Sequence, residues 1–128
     1  MADVKPNMNI RVGKTPQSDD GSLVLVTWNG INNANNTGSA VQIPMHSDRT
    51  IQFNGTFNTA LAWLEGSNDG VTWEILTNPA GSALTFSAKG LKQVVEAPLY
   101  VRPNANNTKA DTNLVATLLM RRNAPLTR

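Results

Sequence analysis

Residues 60–76 constrain the fold more than any other stretch of this chain, because they read as two short strands closed by a turn. Ser67, Asn68 and Asp69 carry short polar side chains that satisfy turn backbone, and Gly70 can take the positive φ that closes a hairpin with a bulge. On the second arm Val71, Trp73 and Ile75 alternate with Thr72 and Glu74, the period of a half-buried strand, which predicts Trp73 in the core. The first arm breaks that pattern. Ala60, Ala62 and Leu64 make one apolar face, yet Leu61 and Trp63 make the other face apolar too. A strand apolar on both sides must be covered on both sides, and a small two-layer β protein covers one. Full burial of an indole contributes up to about 4–6 kcal/mol at about 25 cal/mol per Å². Three covers for Trp63 are open: a second core layer, a protein contact, or a stacked sugar.

Other strand candidates follow at short intervals: 22–28, 40–43, 50–57, 83–87, 93–97, 99–102 and 114–121. In the first of them Ser22, Val24, Val26 and Trp28 alternate with Leu23, Leu25 and Thr27. Turn signals stand between them, among them Asn29-Gly30, Asn54-Gly55, Asn78-Pro79-Ala80-Gly81 and Lys89-Gly90. A helical turn over 89–92 is allowed but not required. Short strands at this spacing, without a 3.6-residue stripe, predict an all-β, antiparallel sandwich or barrel. Residues 1–20 carry breakers and little periodicity and read as an extended N-terminal arm. Within it, Met8, Ile10 and Val12 form a candidate edge strand, for this sheet or a neighbour's. The domain proper is expected over 21–122, with a short tail over 123–128. The pentapeptide Asn-Ala-Asn-Asn-Thr occurs at 33–37 and again at 104–108 and reads as two equivalent polar loops, each ahead of a strand.

Composition removes several classes of function. A chain of 128 residues is one domain's worth. It has no cysteine, hence no disulfide framework and no thiolate chemistry. Its longest apolar runs fall well short of a membrane span, and the first residues lack a signal-peptide pattern, so neither a membrane nor that export route is expected. The net charge of +2 is too small to argue for nucleic acid. It is unevenly spread, −3 up to Leu76 and +5 beyond, although strands from both halves interleave in a β-sandwich.

No catalytic pattern emerges. His46 is the single histidine, so a two-histidine metal site is excluded within one chain. His46, Ser47 and Asp48 are adjacent, and neighbours on extended backbone point to opposite faces, so they do not converge into a triad. Asp19, Asp20 and Asp69 sit in turn contexts. Glu65 and Glu74 could oppose each other across the hairpin, but as outward, solvated carboxylates. The N-x-T triplets at Asn35, Asn54 and Asn106 carry no weight without a secretory signal. An enzyme is therefore not expected, and no metal or cofactor either.

The run from Leu64 through Trp73, followed by Leu84-Thr85-Phe86, Val94, Pro98-Leu99-Tyr100-Val101-Arg102-Pro103 and a closing strand over 114–122, resembles small virion proteins of tailed bacteriophages. Head decoration (capsid cement) proteins are the most similar group; tail and fibre modules share such hairpins. The resemblance implies a β-sandwich of jelly-roll type, frequently trimeric, made in the bacterial cytoplasm and seated on the capsid surface, with the major capsid protein as partner. On that basis Leu61 and Trp63 are expected to supply an oligomer or capsid contact, while the N-terminal arm and a tail beginning at Arg121 and Arg122 reach to neighbours. Two alternatives remain: a carbohydrate- or receptor-binding module using Trp63 or Trp28 as its platform, or a tail or baseplate protein.

Overall fold

The computed structural model describes residues 3–11 and 23–122, and among these the protein is all-β, without a helix. The strands are β1 (Pro6–Arg11), β2 (Leu23–Asn32), β3 (Asp48–Thr56), β4 (Leu61–Ser67), β5 (Glu74–Ile75), β6 (Thr85–Phe86), β7 (Gly90–Val94), β8 (Tyr100–Asn106) and β9 (Asn113–Arg121). One antiparallel sheet has the order β1-β2-β9-β3-β7. The second is built on β4. β8 pairs with β4 from Leu61 to Ser67, taking up one whole edge, so β5 and β6 lie end to end along the other. Segment 37–41 borders β8 in turn, through bridges Thr37–Asn104 and Val41–Val101.

The two sheets share one core. Val24, Val26, Trp28, Ile51, Phe53, Leu118 and Met120 from the first meet Ala62, Leu64, Phe86, Val101 and Ala105 from the second. The rings of Phe53 and Phe86 touch across the interior, 4.8 Å between centroids. Burial alternates strictly along β9 and along β2 up to Trp28, the period-2 signature of strands with one face in a core. Trp28 is fully buried and donates its Nε1–H to Ser39 O over 2.9 Å. That removes it as a sugar platform.

The Asn-Gly pair at 29–30 is a bulge rather than a turn. Gly30 takes φ +99°, the register against β9 shifts between Asn29 and Ile31, and the strand runs on to Asn32. The extra residue reverses the alternation, so Ile31 is buried although it is odd-numbered where Val24, Val26 and Trp28 are even. Asn54-Gly55 likewise lies within β3. Residues 89–92 form no helical turn; β7 begins at Gly90.

Over its described part the N-terminal stretch is a strand of its own sheet. β1 pairs antiparallel with β2, Met8 opposite Val26 and Ile10 opposite Val24. Before it, Val4 bonds Thr37 and Ser39 on the other sheet's border. Val12 and the rest of the expected arm (1–2 and 12–20), Asp19 and Asp20 included, and the tail 123–128, lie outside the described residues.

Candidate functional site

β4 and β8 alternate in phase, so one side of this sheet faces the core and the other presents Leu61, Trp63 and Glu65 beside Asn106, Asn104 and Arg102. Trp63 stands opposite Asn104, and Glu65 opposite Arg102. Glu65 is only 6% exposed. Its Oε1 accepts the Trp63 Nε1–H at 2.7 Å, while Oε2 accepts Arg102 Nε at 2.6 Å and, more weakly, Asn104 Nδ2 at 3.4 Å. Thr37 Oγ1 extends the row by donating to Asn104 Oδ1 at 3.0 Å. The Arg102 guanidinium lies over the Trp73 ring, 3.9 Å from its centroid. With both carboxylate oxygens engaged, Glu65 is an acceptor fixed into the sheet face.

This arrangement corrects three expectations. Glu65 is not solvated; a cross-strand arginine covers it. Nor does it oppose Glu74, which is exposed and pairs with Gly66. Trp73 is outside the core: β5 pairs with β4 through only Glu65–Ile75 and Gly66–Glu74, so the residues before it leave the ladder. Trp73 then packs half-buried on Arg102, Val71 is 80% exposed, and Ile75 is exposed too.

Among the residues expected at an interface, Leu61 is 36% exposed and Trp63 is half-buried, adjacent on the outer face of β4. Arg121 ends β9 in the other sheet and pairs with the exposed Asp48 at 3.1 Å, Nη2 to Oδ2; Arg122 follows it. The fold thus brings Leu61 and Trp63 together and sets Arg121 and Arg122 apart from them. Asp48 pairs with Arg121.

The two ends of the molecule differ in chemistry. One is rich in asparagine, and there the repeated pentapeptides face each other: Thr37 bridges Asn104, Asn36 Nδ2 donates to Ala105 O at 2.8 Å, and Thr108 Oγ1 donates to Asn33 Oδ1 at 2.9 Å. They are not equivalent loops, since the second copy begins inside β8. Asn58 and Asn107, both at positive φ, knit the neighbouring connections through Asp111 and Thr59.

The opposite end is formed by connections 43–47, 68–73 and 95–99. The turn after β4 matches its sequence. Ser67 Oγ accepts the amides of Asp69 and Gly70, Asp69 Oδ1 accepts those of Val71 and Thr72 at 2.8 Å, and Gly70 has φ +75°. The Thr72 and Val71 amides and the Ser67 hydroxyl hold the Asp69 carboxyl well below its usual range, at about 2. Among the described residues no group of side chains could hold a metal ion, and the bonds of Asp69 are those of a turn former. Asn68 Oδ1 accepts the Leu99 amide at 2.9 Å, joining two of the connections. The third is tied down by Arg49, a residue the sequence did not single out. Arg49 is 1% exposed and donates from Nε to His46 O and from Nη2 to Ile43 O, both at 2.7 Å, while Nη1 has no partner. Burial lowers its pKa to about 10.

Comparison with protein-family models, with curated proteins and with solved structures finds no match to this chain.

Proposed function

We propose that this protein is a structural component of a tailed-bacteriophage virion, a decoration protein that cements the capsid exterior by binding the major capsid protein, and that its fold is a jelly roll. The strand order carries the reading. A jelly roll folds eight strands into two four-stranded sheets through two Greek keys, an architecture recurrent in viral capsid proteins. Taking segment 37–41 as a short strand, the chain passes back and forth between β2-β9-β3-β7 and (37–41)-β8-β4-β5/β6, staying in the second sheet only from β4 to β5/β6. In that frame β5 and β6 act as one interrupted strand, and β1 is an addition at the β2 edge.

A cement protein needs a rigid body and contacts that are satisfied on assembly. The internally bonded Glu65 row supports the first requirement and the exposed Leu61 beside Trp63 the second. Placing Leu61 and Trp63 in a contact between copies, in a trimer, would repeat the same capsid contact around a closed ring, so that modest individual contacts add through avidity. A stacking platform for sugar is less well supported, since the Trp63 N–H and the nearby carboxylate are already bonded to each other.

Purified virions provide the test. Quantitative mass spectrometry should find hundreds of copies per particle, and electron microscopy should place the chain on the outside of the head. A handful of copies would move it to the tail, and its absence from particles would end the virion reading.

A further inference from the structure

An asparagine followed by glycine can react with its own backbone, because glycine has no side chain to hinder the approach and its backbone adapts to a ring. The glycine amide nitrogen, having lost its proton, attacks the asparagine Cγ. Ammonia leaves and a succinimide closes; water then opens one of its two carbonyls, giving aspartate or isoaspartate. Two such pairs lie among the described residues, Asn29-Gly30 and Asn54-Gly55. Both asparagines are exposed, and they oppose Val115 from its two sides.

We infer that Asn54-Gly55 is a site of spontaneous modification in the folded protein, that it reacts faster than Asn29-Gly30, and that its isoaspartate product loosens the end of β3. The Gly55 N–H donates to Asn54 Oδ1 over 2.8 Å. Cγ carries that oxygen, so the bond holds the carboxamide folded back against the nitrogen that attacks it. The entropy of bringing the two together is already lost. The Gly55 amide is available for this because β7 pairs with β3 only as far as Phe53–Gly90. Past that pair, no described strand borders this edge of β3. Asn29-Gly30 lacks the hold. Gly30 takes φ +99° in its bulge, and its amide makes no bond to the Asn29 side chain.

Related pairs are disfavoured by their own chemistry. In Asp69-Gly70 the Gly70 N–H is turned to Ser67 Oγ at 2.8 Å, and an ionised carboxylate bonded to the Val71 and Thr72 amides is a poor electrophile. Asn78 precedes Pro79, whose nitrogen carries no hydrogen. Asn58 and Asn107 precede threonine, whose branched Cβ hinders attack.

The way the ring opens decides the effect. Aspartate lowers the net charge of +2 by one and leaves the main chain as it was. Isoaspartate also inserts a methylene into the main chain of β3, where there is no spare room. A Cβ on Gly55, which has φ +111°, would lie 2.2 Å from Asn113 O. The final pairs with β9, Gly55–Leu114 and Thr56–Asn113, are therefore expected to open. The site is then a slow clock that runs without an enzyme.

The test incubates the full-length chain at neutral pH, folded or in urea, and maps it by mass spectrometry with fragmentation that separates aspartate from isoaspartate. In the folded protein position 54 is expected to convert at least about tenfold faster than position 29. In urea the two should convert at similar rates, since sequence alone acts there. Hydroxylamine, which cleaves succinimides, should cut the folded chain after position 54, and Asn54→Gln should abolish the cut because its ring would need a sixth member. Equal rates in the folded protein, or no conversion at position 54 where the unfolded chain converts, overturn the inference. A difference that persists unchanged in urea assigns it to sequence and overturns it too. The isoaspartate form, separated by ion exchange, should unfold at a lower urea concentration than unmodified protein; an equal midpoint overturns the loosening of β3.

Discussion

Trp63 donates its indole N–H to the carboxylate of Glu65 over 2.7 Å, a bond between residues two apart on β4 and therefore on one face of the sheet. Arg102 closes the other side of the same carboxylate from β8 and rests on Trp73. Four side chains from three stretches of chain thus form one layer over the outside of the second sheet.

Replacing Glu65 with Ala leaves the Trp63 N–H and the Arg102 Nε–H without that acceptor. The expected loss is about 1–3 kcal/mol in urea unfolding, with a smaller loss for Glu65→Gln, which keeps an acceptor oxygen. The Trp63 indole proton resonance should move in both variants. An unchanged unfolding midpoint and resonance would show that the layer contributes nothing.

Gly38 gives room to Trp28. A Cβ added there would sit 2.6 Å from Trp28 Cδ1 and 2.7 Å from Pro103 Cγ, against side chains that the core holds in place. Gly38→Ala is expected to cost about 1–3 kcal/mol through overpacking. Gly81→Ala is the control: it meets no atom within 4 Å, though its φ of +84° strains any side chain. Equal midpoints for wild type and Gly38→Ala would rule out the crowding.

The turn after β4 should loosen in acid. The folded pKa of Asp69, about 2, lies below its ordinary 3.8, so its contribution to stability is complete above the ordinary value. It fades as pH falls from about 4 through about 2, while the carboxylate gains a proton and gives up the amides of Val71 and Thr72. Those two amide resonances should titrate together in that window, and Asp69→Asn should remove the transition. Titration near pH 4 would mean that the bonds do not hold the carboxylate.

Replacing Leu61 and Trp63 with Ser tests the lateral contact. Sedimentation is expected to show a smaller assembly than wild type, and shells should take up less protein. Leu61→Ser alone separates the contact from the fold, because Trp63 also bonds Glu65. Assembly and loading equal to wild type would remove these residues from the interface.

Much of the framework was legible in the residues. Alternation grouped Val24, Val26 and Trp28 on one face of β2, and Ala62 and Leu64 on one face of β4; with both faces of each strand largely apolar, packing of the two sheets decided that these faces turn inward. Ser67, Asp69 and Gly70 specified their turn, because short polar side chains and a positive φ are local properties. Alternation was not enough for Val71, Trp73 and Ile75. It says which side chains share a face, but not whether a strand stays paired long enough for that face to be covered. Asn29-Gly30 had two local outcomes, turn or bulge, and pairing with β9 selected the bulge.

Read alone, the sequence determined an all-β chain of short strands, which side chains share a face along several of them, and the chemistry of the turn after β4. These follow from side-chain period and local backbone preference, which act between near neighbours. Only the tertiary structure decided that Glu65 meets Arg102 across 37 residues, that Arg49 is buried beneath the Met45 connection, and that the two pentapeptides face each other. Each of these depends on the register between distant strands. A shift of one residue turns every side chain to the other face, so register belongs to the assembled sheets and to no single stretch of the chain.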